Sequence, residues 1–300
     1  MSEGTTTRVR RAAWRSWFVA GLVLWVASAV VTYWTENPTL LPTVILLGSF
    51  LVPTTFVLWA FETRAGSSLS PTLVLKAFVV GGVLGVLLAS VLETALLTGG
   101  RPLLMYAGVG LIEEAAKLAA LWWVAREMTR HTRRDGMILG AAVGFGFAAF
   151  ETAGYAFNAL VTLDGYDLRA LLEIEVLRSV LSPVGHGLWT AVLGGALFAS
   201  AQATGRFRIS RELVLTYLAM SGLHALWDMA GGLAAVFTWV FTASEWQTSL
   251  LQAGRLPTPT EQQVHLSGVL TWLILTGVAV WGVWVLGRRW QAAKDEDAPA

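Results

Sequence analysis

Eight runs of about twenty apolar residues dominate this 300-residue chain. A helix rises about 1.5 Å per residue, so about 20 residues cross the hydrocarbon core of a bilayer. Inside lipid, backbone polar groups must be satisfied within the spanning structure itself. The runs cover approximately residues 16–34, 40–61, 77–97, 103–125, 136–163, 179–201, 213–236 and 266–286. They lack the polar–apolar alternation over about ten residues that marks a barrel strand. The expected fold is therefore all-α, a polytopic membrane bundle of about eight helices. Composition agrees, because 55% of residues are hydrophobic and only 14% are charged, too few to cover a water-facing surface. A net charge of +1 supplies no field for nucleic acid, and the lack of cysteine excludes disulfides and thiolate chemistry.

The positions of Arg and Lys set the expected orientation. Sixteen fall in the N-terminal segment, alternate loops and the C-terminal segment, against four (Arg101, Arg169, Arg178 and Arg255) in the opposite loops. The positive-inside rule then places both termini in the cytoplasm, in a multi-pass protein of the cell membrane. Residues 1–15 read as an N-terminal tail, 16–287 as one transmembrane bundle and 288–300 as a C-terminal tail. The first run is longer than a signal-peptide core and is followed by Thr35-Glu36-Asn37-Pro38 without a small-x-small site, so it reads as an uncleaved anchor. The loop around 164–175 is acidic and has the apolar spacing of a short interfacial helix.

Charged residues inside the runs carry the chemistry. The fourth run holds Glu113, Glu114 and Lys117, the fifth Glu151, the sixth His186, and the seventh His224 and Asp228. A charge at a helix centre costs about 2.5–3.5 kcal/mol, so three in one run cost on the order of 8–10 kcal/mol. Such residues must meet polar partners or water inside the bundle. Counting about 1.5 Å per residue places the two glutamates roughly 15 Å, and His186 about 10 Å, below the outer boundary. Glu151 falls in the same outer half and His224 near the midplane. Helices of alternating direction thus deliver polar groups to one layer. Helix phase agrees: Gly144, Phe147, Glu151 and Tyr155 share one face, while Ser179, Pro183, His186 and Thr190 share another. Glu113 and Lys117 lie one turn apart, whereas Glu114 is rotated by about 100° from Glu113. The two carboxylates therefore cannot play identical parts.

Plainer roles exist for each group. Glu113 with Lys117 makes an ion pair that staples helices, Glu151 a helix–helix hydrogen bond, and either histidine a satisfied packing residue. Glu93 reads as an interfacial residue near Arg101. His131 and His265 fall in loops or at the edge of a run and receive no role.

The ordered set Glu113-Glu114-x-x-Lys117, Phe147-x-x-x-Glu151, His186 and His224-x-x-x-Asp228 resembles the PrsW intramembrane proteases. That family shares a superfamily with CAAX prenyl proteases and bacteriocin-immunity or bacteriocin-processing membrane proteins. The resemblance covers roughly residues 103–236. It implies hydrolysis of a peptide bond of a membrane-bound protein, such as an anti-sigma factor, by glutamate-activated water. In CAAX proteases the second motif ends in His, whereas Glu151 stands here, so an imidazole must come from His186 or His224.

On this reading Glu113 or Glu114 is the general base, with Lys117 as its counter-charge and the other carboxylate holding a proton for the leaving amine. His186 and His224 orient water and donate to the oxyanion, Asp228 holds His224, and Glu151 completes the polar pocket. HExxH spacing is absent, and the expectation is chemistry without a cofactor. Zinc held by two His and a carboxylate is the alternative. Partners are then the bilayer and a membrane-bound protein substrate, with no nucleic acid. Two other classes also place Glu, Lys and His at mid-depth: a proton-coupled transporter or channel, and a non-catalytic scaffold of the same superfamily.

Overall fold

The computed structural model describes residues 13–63, 69–97, 102–163, 165–202 and 204–296. The helices are α1 (Ala13–Thr35), α2 (Leu41–Thr63), α3 (Pro71–Leu97), α4 (Pro102–Ala125), α5 (Arg133–Leu160), α6 (Leu168–Leu181), α7 (His186–Ala199), α8 (Arg211–Asp228), α9 (Ala230–Thr242), α10 (Glu245–Gln252) and α11 (Glu261–Glu296). A two-residue hairpin, Val161–Thr162 against Gly165–Tyr166, joins α5 to α6. The all-α membrane bundle is as expected. Among the described residues six helical segments are long and apolar enough to cross a membrane, or seven if the bent pair α8–α9 is one span. The expected count was about eight. Helix α4 has the length, but Glu113, Glu114 and Lys117 lower its apolarity.

Two expected runs are not single helices. The sixth breaks into α6, a 3-10 turn at Ser182–Val184, and α7. Pro183 removes one backbone donor, and Gly185 takes a non-helical conformation (φ −105°, ψ −126°) just before His186. The expected face running from Ser179 through Pro183 to His186 is therefore interrupted. The seventh run bends by 59° at Met229, directly after Asp228. Irregular backbone at membrane depth persists only where protein or a cavity surrounds it. Both breaks flank the polar layer.

The acidic segment around 164–175 holds the short helix that its apolar spacing suggested, and α6 runs on to Leu181. Asp167 caps α6 by accepting from the Ala170 N–H at 2.9 Å. The buried Glu175 carboxylate accepts from Trp25 Nε1 at 2.8 Å and from Ser49 Oγ at 3.5 Å, while Ser179 donates to the Gly48 carbonyl at 3.4 Å. These contacts lay α6 against α1 and α2 and turn the other side of α6 toward the centre.

Helix α5 is the hub, packing on α2, α3, α6 and α7. Its approach to α7 depends on small residues, because a Cβ on Gly144 would overlap the His186 carbonyl and lie 2.8 Å from Thr190 Oγ1. That closeness brings Glu151, two turns further on, beside the start of α7. Below the polar layer, Leu121, Leu139, Val143 and Phe198 form a dry core. On one side of the bundle Glu212 joins α8 to α5 through Arg133 Nη1 (2.6 Å) and to α11 through Arg289. Helix α11 continues to Glu296, so most of the expected C-terminal tail is helical, and α1 already begins at Ala13. Residues 1–12 of the expected N-terminal tail, and 297–300, lie outside the described residues.

Candidate active site

Each polar residue singled out in the runs reaches one centre. Helix α4 presents Glu113, Glu114 and Lys117, all buried. Spacing of three and four residues lets Lys117 Nζ reach Glu114 Oε1 at 2.9 Å and Glu113 Oε2 at 3.0 Å. Its third donor goes to His186 Nδ1 at 2.8 Å, and Nζ lies 4.1 Å from the Phe147 ring centroid. An ammonium has three donors and no acceptor, so the hydrogen-bonding capacity of Lys117 is filled.

That bond dictates the tautomer of His186. Since Nδ1 accepts, the ring proton sits on Nε2 and is donated to Glu151 Oε2 at 3.0 Å. The same Glu151 oxygen pairs with Arg178, which also donates to Thr152 Oγ1 at 2.9 Å and lies 4.4 Å from the Tyr155 ring centroid. His224 donates from Nδ1 to Glu114 Oε1 at 3.0 Å. Its Nε2 faces Asp228 Oδ2 at 3.5 Å and Glu113 Oε2 at 3.6 Å. Glu114 is thus the nearer holder of the His224 ring, a part the sequence reading gave to Asp228. The indole of Trp189 backs both rings, with centroids 5.6 Å from His186 and 4.9 Å from His224.

A cavity of about 430 Å³ opens onto this centre. Glu113, Glu151, His186 and Asp228 line it, whereas Glu114 does not. The rotation between adjacent helix positions therefore divides the glutamate pair. Glu113 faces the cavity, and Glu114 faces His224.

Two charged cavity residues, Arg178 and Glu93, were not assigned to the site from the sequence. Arg178 counted as an outer-loop cation, and its signal was the Pro183–Gly185 break, which marks α6 as a helix separate from α7. Glu93, expected at the interface near Arg101, lines the cavity from α3. Arg101 lies outside the described residues. Of the histidines given no role, His131 packs on Phe198 and Phe207 with centroids at 5.6 Å and 4.8 Å.

The family model described as PrsW family intramembrane metalloprotease matches residues 70–248, more than half of the chain. The chain belongs to the PrsW family. The matched stretch runs from the start of α3 into α10, beyond both ends of the resemblance drawn from the motifs, and it contains all of the converging residues. Membership makes the chain an intramembrane protease and a multi-pass membrane protein. No curated protein and no solved structure matches.

The donor set suits the metal that this family description implies. One ligand atom each from Glu113, His186 and His224 lies within 4.8 Å of the others. Glu113 Oε2 is 3.8 Å from His186 Nδ1 and 3.6 Å from His224 Nε2. Bonds of about 2.0–2.2 Å to a tetrahedral zinc place ligand atoms about 3.3–3.6 Å apart. The remaining nitrogen of each ring already donates to a carboxylate, Glu151 or Glu114, as metal-binding histidines do. The donor set and the family description thus support a metal site at these three residues, where the sequence reading expected no cofactor and gave zinc as the alternative. One bond competes with it, because Lys117 holds the His186 lone pair that an ion would take.

Proposed function

We propose that this PrsW-family protein hydrolyses a peptide bond of a membrane-bound protein, an anti-sigma factor being the substrate type the family suggests, at the cavity walled by Glu113, His186 and Asp228. The observation that carries the reading is the meeting of two imidazoles and a cavity-facing carboxylate, each fixed by a second group. Glu113, His186 and His224 would hold a zinc ion. When bound, zinc supplies an acidified water and a polarised carbonyl.

The chain's own residues do the rest. Glu114 holds Nδ1–H of His224, so Nε2 points at the centre. Arg178 holds Glu151, and Glu151 holds Nε2–H of His186, so Nδ1 points there too. Lys117 sits between Glu113 and Glu114 and offsets one of their two charges. Asp228 faces the cavity beside His224, with no lysine or arginine paired to it among the described residues. It is the carboxylate placed to take the water proton and pass it to the leaving amine.

A second reading has its own observation. The Lys117–His186 bond at 2.8 Å already puts a cation at the centre. In that metal-free chemistry Glu113 is the base, and an imidazole serves the developing oxyanion only in its protonated form, because the neutral rings turn lone pairs to the centre; one such donor is worth about 2.7–4 kcal/mol.

Cleavage of a single-span reporter by purified protein tests the proposal. Glu113→Gln and His186→Ala should each abolish cleavage, and equal cleavage by both variants and the unaltered chain would refute it. Inhibition by a chelator, reversed by zinc, assigns Glu113 as a ligand. Full activity in chelator assigns it as the base.

A further inference from the structure

The mechanism leaves one cavity carboxylate without a task. Glu93 lies on α3, about 10 Å further along the helix than Val86, and both line the cavity. Its Oε1 is buried and has no hydrogen-bond partner among the described residues. The other carboxylates of the wall have a partner or a part in the mechanism: Glu113 pairs with Lys117, Glu151 with Arg178 and His186, and Asp228 is the proposed carrier of the water proton. Among the described residues neither neighbouring cation pairs with Glu93. Lys117 has all three donors engaged, and Arg178 is held by Glu151, Thr152 and the face of Tyr155.

A buried acceptor without a donor is a cost that an entering N–H group removes. A charged donor removes more of it, because charge-assisted hydrogen bonds are about twice as strong as neutral ones. Around Glu93 the α3–α4 wall is mostly apolar, with Val86, Ala89, Met105 and Val109. That wall suits an aliphatic stem that ends in a charged head. Lysine and arginine have this form.

We infer that Glu93 is a specificity-determining residue that receives the ammonium or guanidinium of a lysine or arginine next to the cleaved bond of the substrate. The inference rests on the hydrolase reading of the cavity and names the class of segment that the cavity selects. A membrane-bound substrate carries such a residue at the end of its spanning helix, where basic side chains reach toward the interface.

The test uses the full chain in phosphatidylcholine nanodiscs, whose uncharged surface adds no attraction of its own. Single-span reporter peptides carry one lysine walked through the positions flanking the span, each with Gln and Glu counterparts. Binding is read by fluorescence anisotropy, and cleavage is read in parallel. At one position Lys should bind about tenfold tighter than Gln, and Glu weaker than both. Glu93→Gln, which keeps the shape, should bring the three within about twofold. Glu93→Lys should reverse their order. A flat response of the unaltered chain at every position overturns the inference, as does a lysine preference that survives in both variants. Charge-selective binding lost in Glu93→Gln, with no reporter cut, refutes the hydrolase reading and leaves only a site for a basic side chain at Glu93. Equal binding and equal cleavage of all reporters refutes the inference and leaves the hydrolase reading standing.

Discussion

Replacing Lys117 with Met tests the centre most directly, because the substitution keeps the stem and deletes only the charge and its donors. Lys117 is fully buried and gives its three donors to Glu114, Glu113 and His186 at 2.9, 3.0 and 2.8 Å. Removing one partner of a buried ion pair typically costs about 3–5 kcal/mol, chiefly from the charge left behind. Here two carboxylates are left behind, so the upper half of that range is expected, more than a 500-fold shift in the folding equilibrium at about 1.4 kcal/mol per decade. The assay is unfolding of the purified protein in mixed micelles, followed by tryptophan fluorescence. Trp189 against His224 reports on the site itself. A triple variant, Lys117→Met with Glu113→Gln and Glu114→Gln, removes the stranded charges and should recover most of the loss. A single-variant loss below about 1 kcal/mol, or a triple variant no more stable than the single one, would show that the network is not the buried ion cluster described here.

Other substitutions separate strong contributions from weak ones. Glu212→Ala removes the carboxylate shared by Arg133 and Arg289, but these side chains are 19–38% exposed, so a loss of only about 1 kcal/mol is expected in the same unfolding assay. Gly144→Ala drives a methyl into the His186 carbonyl; overpacking of this kind costs about 1–3 kcal/mol, and cleavage should fall further than stability because α7 carries His186. Trp25→Phe leaves Glu175 Oε2 without its indole donor and should lower stability by about 1–3 kcal/mol, as read by thermal unfolding. Arg178→Gln releases Glu151, and cleavage should drop while Arg178→Lys restores part of it; equal loss in both would point to a packing role alone.

Much of the site was legible because lipid makes charge conspicuous. Glu113, Glu114, Lys117, Glu151, His186, His224 and Asp228 each stand out in an apolar run, and they do converge. Arg178 escaped notice because its segment has the composition of an aqueous loop, which hid that α6 extends through it and turns it inward. Glu93 escaped because a single acid near a helix end suits an interface as well as a cavity. The breaks at Gly185 and Met229 were hidden for a related reason. Hydropathy sums over a run and does not register where its backbone turns.

The sequence by itself determined the fold class, the spanning character and the chemical types gathered in the membrane, since insertion energy depends on composition over about 20 residues. Spacing of three and four residues also made it certain that Lys117 could meet both glutamates of its own helix. Only the tertiary structure decided how the roles divide. Helix rotation sends Glu113 to the cavity and Glu114 to His224, the Lys117 bond selects the His186 tautomer, and the packing of α6 on α1 and α2 brings Arg178 to Glu151. These are distances between side chains on different helices, and they are set by how the helices pack against one another.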